Sequence, residues 1–363
     1  DTLRDVDFIS ATDGWAVGDN GTVIHTTDGG DTWSAQTSNT TNDLYGVWAV
    51  GASEVYAVGE NETLLSYDGT SWSVEHSAGT AIWYDLVVDS SADIVLVEDT
   101  GNVVRWDGSQ TILENGSTSG GDALHTISKP ASSTFIAAGD NGTIIRTADD
   151  GSSWSSVSSG TTEDLRGSNF VSADGWIVGI SGVVLHSTDT GSSWSSQSTP
   201  LSLNLQDVGF ADASTGWAIG QDGALIETSD GGTTWSRDTT VQDNALWGLH
   251  VFSTSSALFV GGDEETVVVS GETSPPSFDR IFRTFEVGDP LSDKVDRLLG
   301  LSKENYRITD QKYDSNNNLI EAKVALYNTA SDTINMANPI AEYTIKAFYD
   351  TDQRLKDYRM TKD

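Results

Sequence analysis

Apolar and polar positions alternate along most of the chain in short runs that recur at a fixed spacing. One apolar run, of the type GWAVG, recurs seven times, and its last residues are Gly18, Gly59, Glu98, Gly139, Gly179, Gly220 and Gly261. These positions lie 41, 39, 41, 40, 41 and 41 residues apart. Each unit also has an earlier run like LRDVDF, a later run like GTVIHT and usually a last run led by Trp. Four short strands in each unit, separated by Gly, Asp, Asn and Ser turns, predict the blade of a β-propeller.

Seven repeats predict an all-β fold, a seven-bladed β-propeller of four-stranded blades over residues 1–274. A single blade cannot bury both faces of its sheet, but blades stacked around an axis cover one another. We expect most tryptophans at equivalent strand positions to pack between blades. These are Trp15, Trp33, Trp48, Trp72, Trp154, Trp176, Trp194, Trp217 and Trp235.

The seventh repeat is incomplete, because no Trp-led run follows the segment Thr266 to Ser270. Three ways of closing the ring stay open. Blade seven has only three strands, or residues Phe278 to Val287 supply its outer edge, or sequence before Asp1 does.

Composition changes abruptly near Pro275. Residues 1–274 hold 39 acidic and 6 basic side chains, whereas residues 275–363 hold 15 and 13. In the second part, the alternation of Ile320, Ala322, Val324 and Leu326 is typical of a strand. We predict a linker or closing strand over 275–290, followed by a small, mainly β anchoring or assembly domain over 291–363.

The formal charge of −35 is far larger than a soluble domain needs. Dense carboxylates suit molar salt, where the Debye length falls to about 3 Å and repulsion between them is screened. We therefore expect an exterior protein of a high-salt environment; an acidic protein of moderate salt is the alternative.

The few basic side chains exclude nucleic acid as a partner, and no apolar run is long enough to span a bilayer. Since the chain has no cysteine, thiol chemistry and disulfides are excluded.

A polar loop recurs between the third and fourth strands of the repeats, as TTDGGDTW, TADDGSSW, STDTGSSW, TSDGGTTW and the shorter SYDGTSW. It resembles the Asp-box, or bacterial neuraminidase repeat. Together with the GWAVG strands it resembles the photosystem II stability and assembly factor family of propellers, which implies a helper without catalytic activity that binds other proteins. The resemblance covers residues 1–274 and gives Asp28, Asp68, Asp149, Asp189 and Asp230 a structural role.

The Asp, Gly and Trp residues of this loop have structural roles that need no bound ligand. Asp can accept backbone N–H groups across the turn, Gly supplies a positive φ angle, and Trp anchors the loop. One carboxylate per loop falls short of the oxygens that calcium needs, so we predict no metal and no cofactor.

A sialidase is the least favoured alternative, because it would need clustered arginines. The propeller has only five arginines, and no serine elbow or phosphate loop accompanies them. We predict that the protein is not an enzyme.

Propellers usually bind at the mouth of the central channel, where the first strand of each blade begins. The residue after the leading apolar position there varies between cationic, aromatic and amide side chains. These predicted mouth residues are Arg4, Tyr45, Tyr84, His125, Arg166, Gln206 and Trp247. They either form a recognition surface for a glycan or protein segment, or occupy positions that vary freely.

Two functions follow. The first is an adhesion or receptor-binding head on a cell surface, fibre or halophilic virus particle, which binds a protein or glycan through the propeller. Residues 275–363 would then contact other structural subunits within a larger, oligomeric assembly. The second is a secreted or membrane-peripheral assembly factor, as the family resemblance implies.

Overall fold

A computed structural model describes residues 2–90, 93–107, 110–113, 121–237, 245–261, 266–271, 306–313, 319–326, 341–349 and 355–362. The chain divides into two compact units, Asp1–Glu272 and Thr273–Asp363. No helix in these ranges is long and apolar enough to cross a bilayer.

The first unit contains 27 described strands that follow the repeat. Repeats one and two form β1 (Leu3–Phe8), β2 (Gly14–Gly18), β3 (Val23–Thr26), β4 (Ser34–Gln36), β5 (Leu44–Gly51), β6 (Glu54–Gly59), β7 (Thr63–Tyr67) and β8 (Trp72–His76). Repeats three and four form β9 (Trp83–Ser90), β10 (Asp93–Glu98), β11 (Val103–Trp106), β12 (Gln110–Leu113), β13 (Leu124–Ala131), β14 (Thr134–Gly139), β15 (Ile144–Thr147) and β16 (Ser155–Ser156). Repeats five to seven form β17 (Leu165–Val171), β18 (Asp174–Gly179), β19 (Val184–Ser187), β20 (Ser195–Gln197), β21 (Leu205–Phe210), β22 (Gly216–Gly220), β23 (Leu225–Thr228), β24 (Ser236–Arg237), β25 (Leu246–Ser253), β26 (Ser256–Gly261) and β27 (Thr266–Gly271).

Six repeats each form a four-stranded antiparallel sheet in which neighbours along the chain pair with each other. The predicted propeller of four-stranded blades is confirmed for these six. The seventh repeat departs from the prediction, because its described residues form a sheet of three strands, β25, β26 and β27. The predicted count of seven four-stranded blades is therefore not confirmed. The candidate closing segment Phe278 to Val287 lies outside the described residues.

The last five residues of each second strand are buried, which explains their mainly apolar sequence. The strand ends in glycine because the backbone at the start of the first strand of the same blade lies against it. A Cβ at Gly18 would overlap the carbonyl oxygen of Thr2, and the equivalent glycines of repeats two, four, five and six meet the same obstacle. Repeat three has Glu98 there instead, and its carboxylate accepts the indole N–H of Trp83 at 3.2 Å.

Apolar residues of adjacent blades pack into common clusters, as the tryptophan pattern predicted. Trp176 of blade five is fully buried and stacks on Phe210 of blade six, with ring centroids 3.5 Å apart. Trp235 meets the same Phe210 edge on at 5.9 Å. The predicted tryptophans are buried at Trp15, Trp72, Trp154, Trp176, Trp217 and Trp235, and partly buried at Trp33, Trp48 and Trp194.

The three-stranded sheet packs between blade six and blade one. On one side, Leu246 and Leu249 share a cluster with Trp217 of blade six. On the other side, Leu258 and Val260 join a cluster with Leu3 and Val6 of blade one. Polar contact accompanies this packing, since His250 Nδ1 lies 3.0 Å from Asp7 Oδ1. Side chains, not a shared strand, join these two sheets in the described residues.

The described part of the second unit forms one antiparallel sheet in the order β28–β29–β30–β31. Its strands are β28 (Tyr306–Tyr313), β29 (Leu319–Leu326), β30 (Ala341–Tyr349) and β31 (Leu355–Lys362). Ala322 and Val324, on one face of the predicted strand, lie opposite Ile345 and Tyr343. The roles predicted for residues 275–290 and 291–363 remain predictions.

Candidate functional site

Each predicted mouth residue lies at an irregularity in its first strand. The pairing of β1 with β2 skips from Leu3 to Asp5, so Arg4 is the extra residue of a bulge. The same register shift brackets the mouth residue in the other six repeats. A bulge redirects a side chain that would otherwise alternate with its neighbours, which explains why this position is free of the core pattern.

All seven predicted mouth residues line one cavity of about 560 Å³ at the first strands. Six of them form a continuous series of contacts. The guanidinium of Arg4 lies 5.2 Å from the ring centroids of both Tyr45 and Trp247. Tyr45 meets Tyr84 edge on at 5.3 Å, and Tyr84 contacts His125 at 4.6 Å.

Two further mouth residues complete the ring. Arg166 Nη1 lies 2.9 Å from His125 Nε2, which extends the series of contacts to blade five. Gln206 of blade six also lines the cavity. The structure thus brings together every residue that the repeat alignment selected.

Carboxylates hold the basic mouth residues in place. Arg4 Nε donates to Asp19 Oδ1 at 2.7 Å, and Arg166 Nη2 donates to Asp164 Oδ2 at 2.9 Å. His125 Nε2 lies 2.7 Å from Asp140 Oδ1. Sequence reasoning missed these partners, although Asp19 and Asp140 share one repeat position, directly after the glycine that ends the second strand.

Burial controls the charge of the mouth. It lowers the pKa of His125, and the nearby Arg166 guanidinium lowers it further, so the imidazole is neutral at pH 7. Burial also raises the pKa of Tyr45 to about 12 and raises the pKa of Tyr84. The ring therefore presents two paired guanidinium groups among neutral aromatic and amide side chains.

Three further carboxylates line the same cavity, each one residue after a mouth residue. They belong to Asp5, Asp85 and Asp207, and we call them the axial carboxylates. Each accepts the backbone N–H of the following residue and that of a residue in the next sheet, at 2.7–2.9 Å. The axial carboxylates thereby link adjacent sheets around the cavity.

Sequence reasoning also missed the axial carboxylates. The signal was a partial alternation of Asp and Gly at the third residue of the first strands. In chain order these residues are Asp5, Gly46, Asp85, Thr126, Gly167, Asp207 and Gly248. The glycines adjoin the carboxylates closely, since a Cβ at Gly167 would lie 2.9 Å from Asp207 Oδ1. The alternation therefore reflects packing between neighbouring sheets.

The recurring loops lie at the opposite ends of the blades from the mouth, because the third strand runs parallel to the first. In blade six, Asp230 Oδ1 accepts the backbone N–H of Thr234 at 2.8 Å, and Oδ2 accepts its hydroxyl at 2.7 Å. Gly232, with φ of 85°, donates its N–H to Thr228 Oγ1. Asp28, Asp149 and Asp189 make the same bonds, while Asp68 accepts two backbone N–H groups.

The described residues contain no group of three His, Cys, Asp or Glu side chains that could hold a metal ion. The arginines that a sialidase would gather are dispersed. Arg105 pairs with Asp93 and Asp150, and Arg146 donates to the Thr190 carbonyl, whereas Arg4 and Arg166 line the mouth cavity.

Comparison with known proteins identifies the family. The sequence pattern of the family described as photosynthesis system II assembly factor YCF48 matches residues 1–78, 123–203 and 194–264. The chain belongs to this family. The YCF48 family match spans residues from every repeat except the third and confirms the resemblance drawn from the repeats. No curated protein matches the sequence significantly.

Solved structures show the same propeller fold as this YCF48-family chain. A structure of YCF48 bound to D1 peptide has a TM-score of 0.61 at 22% identity and covers 75% of this chain and 94% of its own. YCF48 from Cyanidioschyzon merolae has a TM-score of 0.62 at 18% identity, with coverages of 74% and 95%. The WD40 β-propeller domain of Doa1 has a TM-score of 0.62 at 13% identity, with coverages of 75% and 94%.

Proposed function

We propose that this chain is a non-catalytic propeller that binds a segment of a partner protein at the mouth. The observation that carries the proposal is the single cavity of about 560 Å³ lined by all seven mouth residues. A related YCF48 has been solved with a D1 peptide bound, which supports a protein ligand in preference to a glycan. Aromatic and arginine side chains at the centre of a concave site are typical of binding hot spots.

The geometry of the mouth suits recognition because its side chains are already held in place. Asp19 fixes Arg4, and the rings of Tyr45 and Trp247 flank the guanidinium. Ordering these side chains before the ligand arrives reduces the entropy lost on binding. In molar salt, where long-range attraction is screened, such short-range contacts would supply the affinity.

We infer that β25–β27 form the seventh blade, with three strands. Their repeat spacing and their packing against both blade six and blade one support this assignment. The recurring loops, with their Asp, Gly and hydroxyl bonds, support the assignment of Asp-box turns with a structural role.

The family match favours an assembly factor over an adhesion head. The similar solved structures named above are two YCF48 proteins and a WD40 propeller domain, and the exterior, high-salt location remains a prediction. Residues 275–363 would anchor the propeller or hold a client protein in either case. A substoichiometric, transient association would distinguish a helper from a fixed structural subunit.

Binding of a labelled D1 peptide and of its scrambled sequence, followed by fluorescence anisotropy in molar salt, tests the proposal. Arg166→Ala and Trp247→Ala should each weaken saturable binding about tenfold or more, the usual effect of a hot-spot truncation. Arg237→Ala is the matched control, because Arg237 is an exposed arginine of blade six outside the cavity. Equal affinity of all variants would place the site at the blade edges. Saturable binding of labelled chain to halophilic cell surfaces, with none to the peptide, would favour the adhesion function.

A further inference from the structure

The axial carboxylates have no part in the proposed recognition of a partner. Each of them nevertheless follows a mouth residue directly in the sequence and lines the same cavity. Asp5, Asp85 and Asp207 come from blades one, three and six and line one cavity. Each holds two backbone N–H groups, one in its own strand and one in the next sheet. A change in their charge therefore acts on bonds between sheets.

We propose that Asp5, Asp85 and Asp207 form a proton-operated element around the axis of the propeller. With protons bound, these three carboxyl groups are neutral and the sheets pack firmly around the cavity. As the protons leave, three like charges face one cavity, and the junctions that carry the mouth residues loosen. This inference goes beyond the proposed function and needs no partner.

Electrostatics agrees with this geometry. Burial raises the pKa of Asp85 to about 6 and that of Asp207 to about 7, and it raises the pKa of Asp5 well above its usual value. Repulsion from Asp207 and then Asp85 adds to the effect on Asp5, and Asp85 adds to the effect on Asp207. The backbone N–H bonds oppose these shifts without cancelling them.

Other ionisable groups around the cavity are arranged in pairs above and below the axial carboxylates. At the mouth these are Arg4 with Asp19, Arg166 with Asp164, His125 with Asp140, and the phenols of Tyr45 and Tyr84. At the other end they are Asp7 with His250, and Lys129 with Asp89. Each basic side chain that lines the cavity thus has a carboxylate partner.

The direction of the effect follows from linkage. A carboxyl whose pKa is higher in the folded state keeps a proton that the unfolded chain, with a pKa of about 3.9, has already lost. The contribution of these carboxyl groups to stability is therefore greatest in acid and declines as the pH rises through the folded values of about 6 and 7.

Urea unfolding of the full chain at pH 5 and pH 8, at one molar salt concentration, tests the element. The urea midpoint of the wild type should be lower at pH 8 than at pH 5. Asp207→Asn should remove a large part of this difference. Asp149→Asn is the control, because hydrogen bonds from Ser153 and Thr147 lower the pKa of Asp149 to about 2, so its carboxylate is ionised at pH 5 and at pH 8. It should shift the midpoint equally at both pH values. The same difference in Asp207→Asn as in wild type would overturn the proposal.

If Asp207→Asn does not fold, the protonation of the aspartate side chains can be followed directly in the wild-type protein. Carbon-13 spectra of aspartate-labelled wild type should contain side-chain carboxyl resonances that titrate with midpoints near pH 6 to 7. Asp85→Asn should remove one of them. Titration of every aspartate below pH 5 would equally overturn the proposal.

Discussion

Substitution of Gly248 by alanine tests how the ring is closed. Gly248 lies on β25, and a Cβ there would come within 2.7 Å of Asp5 Cα and 2.9 Å of the Arg4 carbonyl oxygen. Both obstacles are backbone atoms of β1, so neither can rotate away. The sheets must separate locally if the extra methyl group is to fit.

The magnitude follows from the cost of overpacking, about 1–3 kcal/mol for an added group that forces backbone shifts. In a unit of this size, each kcal/mol lowers the melting temperature by about 2–4 °C. We therefore expect Gly248→Ala to melt about 2–12 °C below wild type in a thermal scan at fixed salt, with no loss of β structure at low temperature.

Two glycines provide matched comparisons. Gly167 is the equivalent position between blades five and six, where a Cβ would lie 2.7 Å from both Asp207 Cα and the Gln206 carbonyl oxygen. Gly167→Ala should therefore be destabilised to a similar degree. Gly51 has no atom within 4 Å of a Cβ, and Gly51→Ala should melt within about 1 °C of wild type or slightly above it. A stable Gly248→Ala beside a destabilised Gly167→Ala would refute the packing of β25 against β1.

Two further predictions concern charge. Hydrogen bonds from Ser153 and Thr147 lower the pKa of Asp149 to about 2, so its stabilisation is present above pH 4 or so and is lost as the pH falls through about 2. Asp149→Asn should therefore melt lower than wild type at pH 6, and the difference should shrink towards pH 2; a constant difference would contradict this account. Lowering the salt from molar to about 0.01 M lengthens the Debye length from about 3 to 30 Å, so the acidic first unit should unfold at lower urea as salt is removed. A midpoint independent of salt would favour the alternative of an acidic protein from moderate salt.

Repetition made the architecture of the first unit readable from the sequence. The same apolar run at nearly constant spacing can bury itself only against copies of itself, which fixes the sheet topology before any contact is known. It also located the mouth, because Arg4 and its equivalents vary at a position where the core pattern does not apply. The family resemblance rested on the same repeats.

Tertiary structure decided what depends on neighbours distant in sequence. The sheet of β25–β27 closes against β1 through His250, Asp7 and apolar side chains from opposite ends of the unit, and no local pattern predicts that pairing. In the sequence, nothing distinguishes the axial carboxylates from the other acidic residues of a very acidic chain. Only the fold brings the three together at one cavity. Burial raises the pKa of all three, and repulsion from the other carboxylates adds to it at Asp5 and Asp207, whereas the similar Asp149 is held ionised by hydrogen bonds from its own loop.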